Sequence, residues 1–215
     1  MKILIVSATE FELARIKDFC TSNRLDNVDF CVTGVGMVAT SFSLTKALSE
    51  KKYDLLINVG ICGSFKRSIK LSQVLEISSE VFSDSGIESV KGFIPLAETD
   101  LLDENKHPYK CGLLINDSPQ FADLQKVKGS TSDNCHTSLD SISRIVELFA
   151  PDTESMEGGA FFYVAKHFDI PFAQVRAVSN YVGERGEGKW KIKEAIEAVN
   201  GCIIDYLKQV VHAKI

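Results

Sequence analysis

Apolar residues cluster along the chain in two ways, as short dense runs and as longer stretches with helical spacing. Residues 2–6 form an unbroken run apart from the opening Lys2, and residues 54–59 are nearly as apolar; both predict strands buried on each face, with 28–32 a further strand between them. Thr9-Glu10-Phe11-Glu12 has the capping-box form, Thr followed three residues later by Glu, and predicts a helix to about residue 20. The second strand ends in Thr33-Gly34-Val35-Gly36, from which a helix runs to about residue 49, and the third ends in a glycine turn, Gly60-Ile61-Cys62-Gly63. Residues 73–81 are β-rich. Residues 82–109 carry Gly86, Gly92, Pro95 and Pro108 with no clear period, and predict long loops with short strands. Short strands are expected at 111–115 and 125–129, and helices at 138–149 and 157–168, the latter with Ala160, Phe161, Val164, Ala165 and Phe168 on one face. A strand at 171–178 and a helix from 189 to about 210 complete the chain.

Strands that alternate with helices imply an α/β fold. We expect one domain over residues 1–215, with a mixed, largely parallel central sheet flanked by helices on both sides. Ligands in such folds gather at the carboxyl ends of strands, which directs attention to residues 9–12, 33–36, 60–63, 129–131 and 179–181. Composition adds exclusions. At 45% hydrophobic and 25% charged residues with a net charge of −5, the chain can build a core but has no basic face for nucleic acid or an anionic membrane surface. Glu10 and Glu12 follow the first apolar run too closely for a secretory signal, and no stretch approaches the ~20 apolar residues of a membrane span. The six cysteines form no Cys-x-x-Cys pair, which argues against a disulfide framework or a zinc site and for a reducing cytoplasm. The adjoining Cys135 and His136 do not by themselves make a metal site.

Three features carry candidate chemistry. Gly34-x-Gly36-x-x-Ala39 matches a loose dinucleotide-binding turn, but the next strand has its carboxylate, Asp54, at the beginning rather than at the ribose end, which demotes an oxidoreductase. Glu157 opens an apolar-faced helix, where it is either a first-turn acid favoured by the helix dipole or a binding carboxylate. Arg176 lies inside an apolar strand, a costly position unless the side chain is paired or functional.

Ser155-Met156-Glu157 together with Val175-Arg176-Ala177-Val178-Ser179-Asn180 resembles the paired signature of the purine nucleoside phosphorylase/nucleosidase family. The opening strand with Ala8-Thr9-Glu10-Phe11-Glu12 and the two glycine turns are similar to that family in the same order, while the likeness is weakest over residues 82–125. The resemblance implies cleavage of a ribosyl C–N bond. Such a reaction needs a base for water, a hold on the ribose and a donor for the purine. It implies Glu12 as the water-activating base, in competition with its capping role, and Glu157 and Met156 against the ribose. Arg176 would orient the acids, Asn180 with Ser179 would meet the purine edge, and Gly60, Ile61 and Thr131 would border the substrate.

Two departures refine this expectation. Where nucleosidases for 6-aminopurines carry Asp, this chain has Asn180, whose NH₂ can donate to the acceptors of a 6-oxopurine. Where the pattern has Ser, this chain has Ile61, which removes a donor for phosphate and favours water as the nucleophile. Ser179-Asn180-Tyr181-Val182-Gly183-Glu184-Arg185 followed by Trp190 resembles the futalosine hydrolase branch of the family. That likeness implies release of hypoxanthine from futalosine on the way to menaquinone, with Arg185 or Lys189 meeting the substrate carboxylate and Trp190 its aromatic ring. It implies no metal or organic cofactor, and a homo-oligomer in which a neighbouring subunit helps to close the pocket. The competing readings are a methylthioadenosine/S-adenosylhomocysteine nucleosidase, an inosine/guanosine phosphorylase, a non-catalytic nucleoside-binding protein and, last, the oxidoreductase.

Overall fold

The first strand, β1 (Ile3–Ser7), is buried at every position, because its neighbours lie on both sides of the sheet. Ile3 and Ile5 face one apolar layer and Leu4 and Val6 the other. The computed structural model describes residues 1–90, 92–183 and 190–212. Through them run α1 (Glu10–Ser22), β2 (Val28–Val32), α2 (Met37–Glu50), β3 (Leu55–Ser64), β4 (Val74–Phe82) and the hairpin β5 (Gly86–Ser89) and β6 (Gly92–Pro95). They continue with a short 3₁₀ turn, β7 (Leu114–Ile115), β8 (Gln125–Thr131), α3 (Leu139–Phe149), β9 (Thr153–Ser155), α4 (Gly158–His167), β10 (Phe172–Tyr181) and α5 (Ile192–His212). Helices α1 and α5 cover one face through Leu13, Ile16, Val199, Ile203 and Leu207, and α2 and α4 cover the other through Leu44, Leu48, Phe161 and Phe162. The mixed, largely parallel sheet between two helical layers is as the alternation of patterns predicts.

Strand β3 is the spine of the sheet. One edge runs parallel to β10 along its length; the other pairs first with β1, which carries β2, and then antiparallel with β9 through Gly63 and Ser64. Strand β10 also pairs with β4, β4 with β8, and β8 with β9, so five strands close into a ring. The sequence pattern did not disclose this closure, since β9 has only three residues and follows no period. Nor did it show that Gly60-Ile61-Cys62-Gly63, expected as a turn after residue 59, continues β3 in register with β10 and β9. Strand β10 likewise runs past the expected end at 178, bulging between Val178 and Asn180, and residues 82–109 contain the β5–β6 hairpin.

Asn200 of α5 ties the helical layer to the site. Its Oδ1 accepts from Ile16 N at 3.2 Å and its Nδ2 donates to Glu12 O at 2.9 Å, so a buried amide bridges two backbone groups of α1 that stand one helical turn apart. An amide that reaches from another helix into the backbone of α1 fixes the height of that helix at Glu12. Replacing Asn200 by Ala is expected to lower unfolding free energy by about 1–3 kcal/mol, because two buried backbone groups lose a partner. Urea denaturation of the two proteins at equal slope measures it.

Candidate active site

Carboxyl ends of β1, β3 and β10 converge on a cavity of about 390 Å³. Glu12, Ile61, Met156, Glu157, Arg176, Ser179, Asn180 and Trp190 all line it, so the structure gathers most of the residues singled out from the sequence. Gly60 lies behind this wall. A Cβ there would sit 2.7 Å from Arg176 Nη1 and 3.0 Å from Glu12 Oε1, so the absence of a side chain is what lets these groups approach each other.

The capping box predicted at Thr9 is formed: Thr9 Oγ1 accepts from Glu12 N, and Thr9 N donates to Glu12 Oε2 at 3.1 Å. Glu12 Oε2 also accepts from Thr9 Oγ1 at 2.9 Å and from Ser7 Oγ at 2.8 Å. All three bonds fall on one oxygen, and the other, Oε1, is the one directed at Gly60 and Arg176. Capping and a role in the cavity are therefore compatible in one rotamer, which the sequence reading had set against each other.

Arg176 is 2% exposed. Its Nη1 donates to Ile61 O at 3.1 Å and to Glu157 Oε2 at 3.3 Å, and its Nη2 donates to Asn58 Oδ1 at 2.9 Å. Glu157 takes its second bond from Gly36 N, at 3.2 Å to Oε1, which gives the glycine turn before α2 a definite task. Glu157 itself is the N-cap residue of α4 rather than its first turn. Elsewhere in the lining Asn180 Nδ2 donates to Tyr181 O at 3.2 Å while Ser179 Oγ donates to Asn180 Oδ1 at 2.8 Å. That pair of bonds sets which end of the amide is the donor, and one Nδ2 proton is left over among the described residues.

Thr131 is a correction. It is fully buried and outside the cavity lining, its hydroxyl donating to Glu80 Oε2 at 2.9 Å and accepting from Gly159 N at 2.6 Å. The hydroxyl braces the first turn of α4 from below. Arg185 and Lys189 lie outside the described residues. The sequence assigned no site role to Ser7, Asn58, Glu154 or Ile196, and covered Phe11 and Val35 only within the strand-end segments 9–12 and 33–36. Asn58 alone carried a signal, as a polar residue inside an apolar strand. Cys135 and His136 also line the cavity. No group of three or more residues able to hold a metal ion is found among the described residues.

Glu80 is a buried carboxyl beneath this site. Gln174 Nε2 donates to its Oε1 at 2.6 Å, and a Cβ on Gly158 or Gly129 would fall 2.1 or 2.4 Å from that same oxygen. Burial pushes its pKa up from 4.5 to about 7, against the lowering effect of Gln174, Thr131 and Arg176, with Glu157 adding to the rise. A raised pKa means the folded state favours the neutral acid. The stabilisation it brings is present below pH 4.5 and is lost as pH rises through about 7. The wild type should therefore lose stability relative to Glu80→Gln between about pH 5 and pH 8, by on the order of 3 kcal/mol. Paired denaturant titrations across that range test it, and a difference that does not change with pH would refute it.

Comparison with known proteins agrees with this architecture. The Phosphorylase superfamily model matches residues 2–211. A futalosine hydrolase of Streptomyces coelicolor is 28% identical over 194 residues, covering 85% of this chain and 80% of that protein. A 5′-methylthioadenosine/S-adenosylhomocysteine nucleosidase of Haemophilus influenzae is 27% identical over 201 residues, covering 89% and 83%. A structure of a futalosine hydrolase mutant of Helicobacter pylori superposes with a TM-score of 0.77 at 14% identity, over 97% of this chain and 99% of that one. No described helix is long and apolar enough to cross a membrane.

Proposed function

The chain belongs to the Phosphorylase superfamily, and from that premise we propose that it is a nucleosidase that hydrolyses futalosine to hypoxanthine and dehypoxanthine futalosine. One observation carries the reading. A single cavity is lined by Glu12, by the Arg176–Glu157 pair and by an amide donor, Asn180. In this mechanism Glu12 Oε1 takes a proton from water as the water oxygen bonds to the anomeric carbon. The C–N bond breaks, its electrons leave with the purine, and a proton returns to the purine nitrogen. Glu157 accepts from the ribose hydroxyls, Met156 packs against the sugar, and Arg176 holds Glu157 in place while balancing the two acids. Asn180, oriented by Ser179, donates its remaining N–H to the acceptor edge of a 6-oxopurine.

Apolar side chains support the longer substrate. Phe11, Val35, Trp190, Ile192 and Ile196 line one part of the cavity, which suits an aromatic 5′ extension better than open solvent. The similarity to the Streptomyces protein supports the same choice. The second reading, a methylthioadenosine/S-adenosylhomocysteine nucleosidase, is favoured by the Haemophilus relative, and Asn180 weighs against it. Phe11, Val35, Val38 and Phe42 are 64%, 56%, 79% and 70% exposed around the mouth and on α2, which supports a second copy of the chain covering this side.

Purine release from futalosine, inosine and methylthioadenosine, without and then with phosphate, is the direct experiment. Phosphate-independent hypoxanthine release from futalosine is expected, and adenine release from methylthioadenosine alone would replace this reading with the second. Glu12→Gln should lower kcat by at least ~100-fold with KM little changed, since only base catalysis is removed. A near-normal rate in that variant would confine Glu12 to the capping box.

A further inference from the structure

Glu80 is an acid with no part in the reaction as proposed. It is 1% exposed, and both groups bonded to it are neutral: Gln174 Nε2 donates to its Oε1 at 2.6 Å and Thr131 Oγ1 to its Oε2 at 2.9 Å. A carboxyl is costly to bury among neutral partners, so its place beneath the site calls for a use.

Strand register and two glycines show what it holds. Across β4 and β8, Glu80 pairs with Gly129 and Phe82 with Thr131. Paired residues share a face of the sheet, as do residues two apart on one strand, so these four form one patch. The first turn of α4 rests on that patch. A Cβ on Gly158 would collide with Glu80 Oε1, and one on Gly159 would stand 2.6 Å from Phe82 Cε1. Two successive glycines thus let the helix begin in contact with β4. Gly159 N then donates at 2.6 Å to Thr131 Oγ1, the same hydroxyl that donates to Glu80.

Glu157 immediately precedes these glycines. Its carboxylate end is held by Gly36 N at 3.2 Å and Arg176 Nη1 at 3.3 Å, both long for bonds to a charged acceptor. The chain of bonds below its backbone, from Gly159 N through Thr131 to Glu80, is shorter at 2.6 and 2.9 Å. The backbone end is therefore the more tightly fixed of the two. Resting on the reading of Glu157 as the acceptor for the ribose hydroxyls, we propose that Glu80 and Thr131 are positioning residues for the ribose, which set where Glu157 stands in the cavity by holding the first turn of α4. Neither touches the substrate in this account; both act through the backbone of Gly158 and Gly159.

The test measures kcat/KM for futalosine and for its 2′,3′-dideoxy counterpart, which lacks the hydroxyls that Glu157 would bind. Calorimetric Kd values give the same ratio where turnover is too slow to measure. Because the ratio is taken within one protein preparation, a variant that folds poorly does not distort it. Wild type should prefer futalosine. Thr131→Val, which has no hydroxyl to hold Gly159 N, should reduce that preference about 10- to 100-fold through futalosine alone. Glu80→Ala should do likewise, and joining the two should add little, since both act through one hydroxyl. Thr131→Ser keeps the hydroxyl and should restore the wild-type ratio. An unchanged ratio in Thr131→Val and Glu80→Ala, with Glu157→Ala still losing the preference, would make the cluster a purely structural brace and overturn the inference while leaving Glu157 at the ribose. A wild-type ratio in Glu157→Ala would instead overturn the ribose reading, and the inference with it.

Discussion

Arg176 enters the interior of the sheet as the one charged residue of β10, and much of the site is arranged around it. A buried guanidinium is costly unless its hydrogens are engaged, and removing one partner of such a group costs more than the pair contributes. Here β3 supplies Asn58 Oδ1 and the carbonyl of Ile61, and the start of α4 supplies Glu157. Glycine at position 60 provides the space. The parallel pairing of β3 with β10 brings these partners to the level of Arg176. Arg176 therefore fixes Glu157, and Glu157 in turn receives Gly36 N, which ties the turn before α2 to the same point.

Glu12 is held by different means. Its capping bonds and the Ser7 hydroxyl immobilise one oxygen, while Asn200 fixes the backbone of α1 that carries it. An acid with one oxygen anchored and the other free of those bonds suits the base catalysis proposed for it, and the anchoring uses interactions the helix would need in any case. Folding and chemistry make compatible demands on this residue, so the sequence signal for the cap and the signal for the base coincide at one position.

That coincidence explains how much could be read from the chain. The strand–helix alternation and the cap at Thr9 are local patterns, and the structure contains them. Arg176 was legible as a charged residue in an apolar strand, and Asn58 carried the same kind of signal without being singled out. Thr131 was misplaced for an opposite reason: being next to a strand end says nothing about which face a side chain takes, and its hydroxyl turned out to serve Glu80 and Gly159. The closure of the sheet depends on β9, whose three residues have no period of their own. Glu154 lies in that strand, so nothing in the local pattern marked it as part of the cavity wall.

The same register that hid Glu154 also sets one row of the cavity wall. Three strands bring Glu154, Gly63 and Asn180 into one row, and only the middle position lacks a side chain. At one end Asn180 is oriented by Ser179, and at the other both oxygens of Glu154 are bonded to His136. A row of this kind comes from backbone pairing, which places two polar side chains on one face of the sheet without drawing on the Arg176 network.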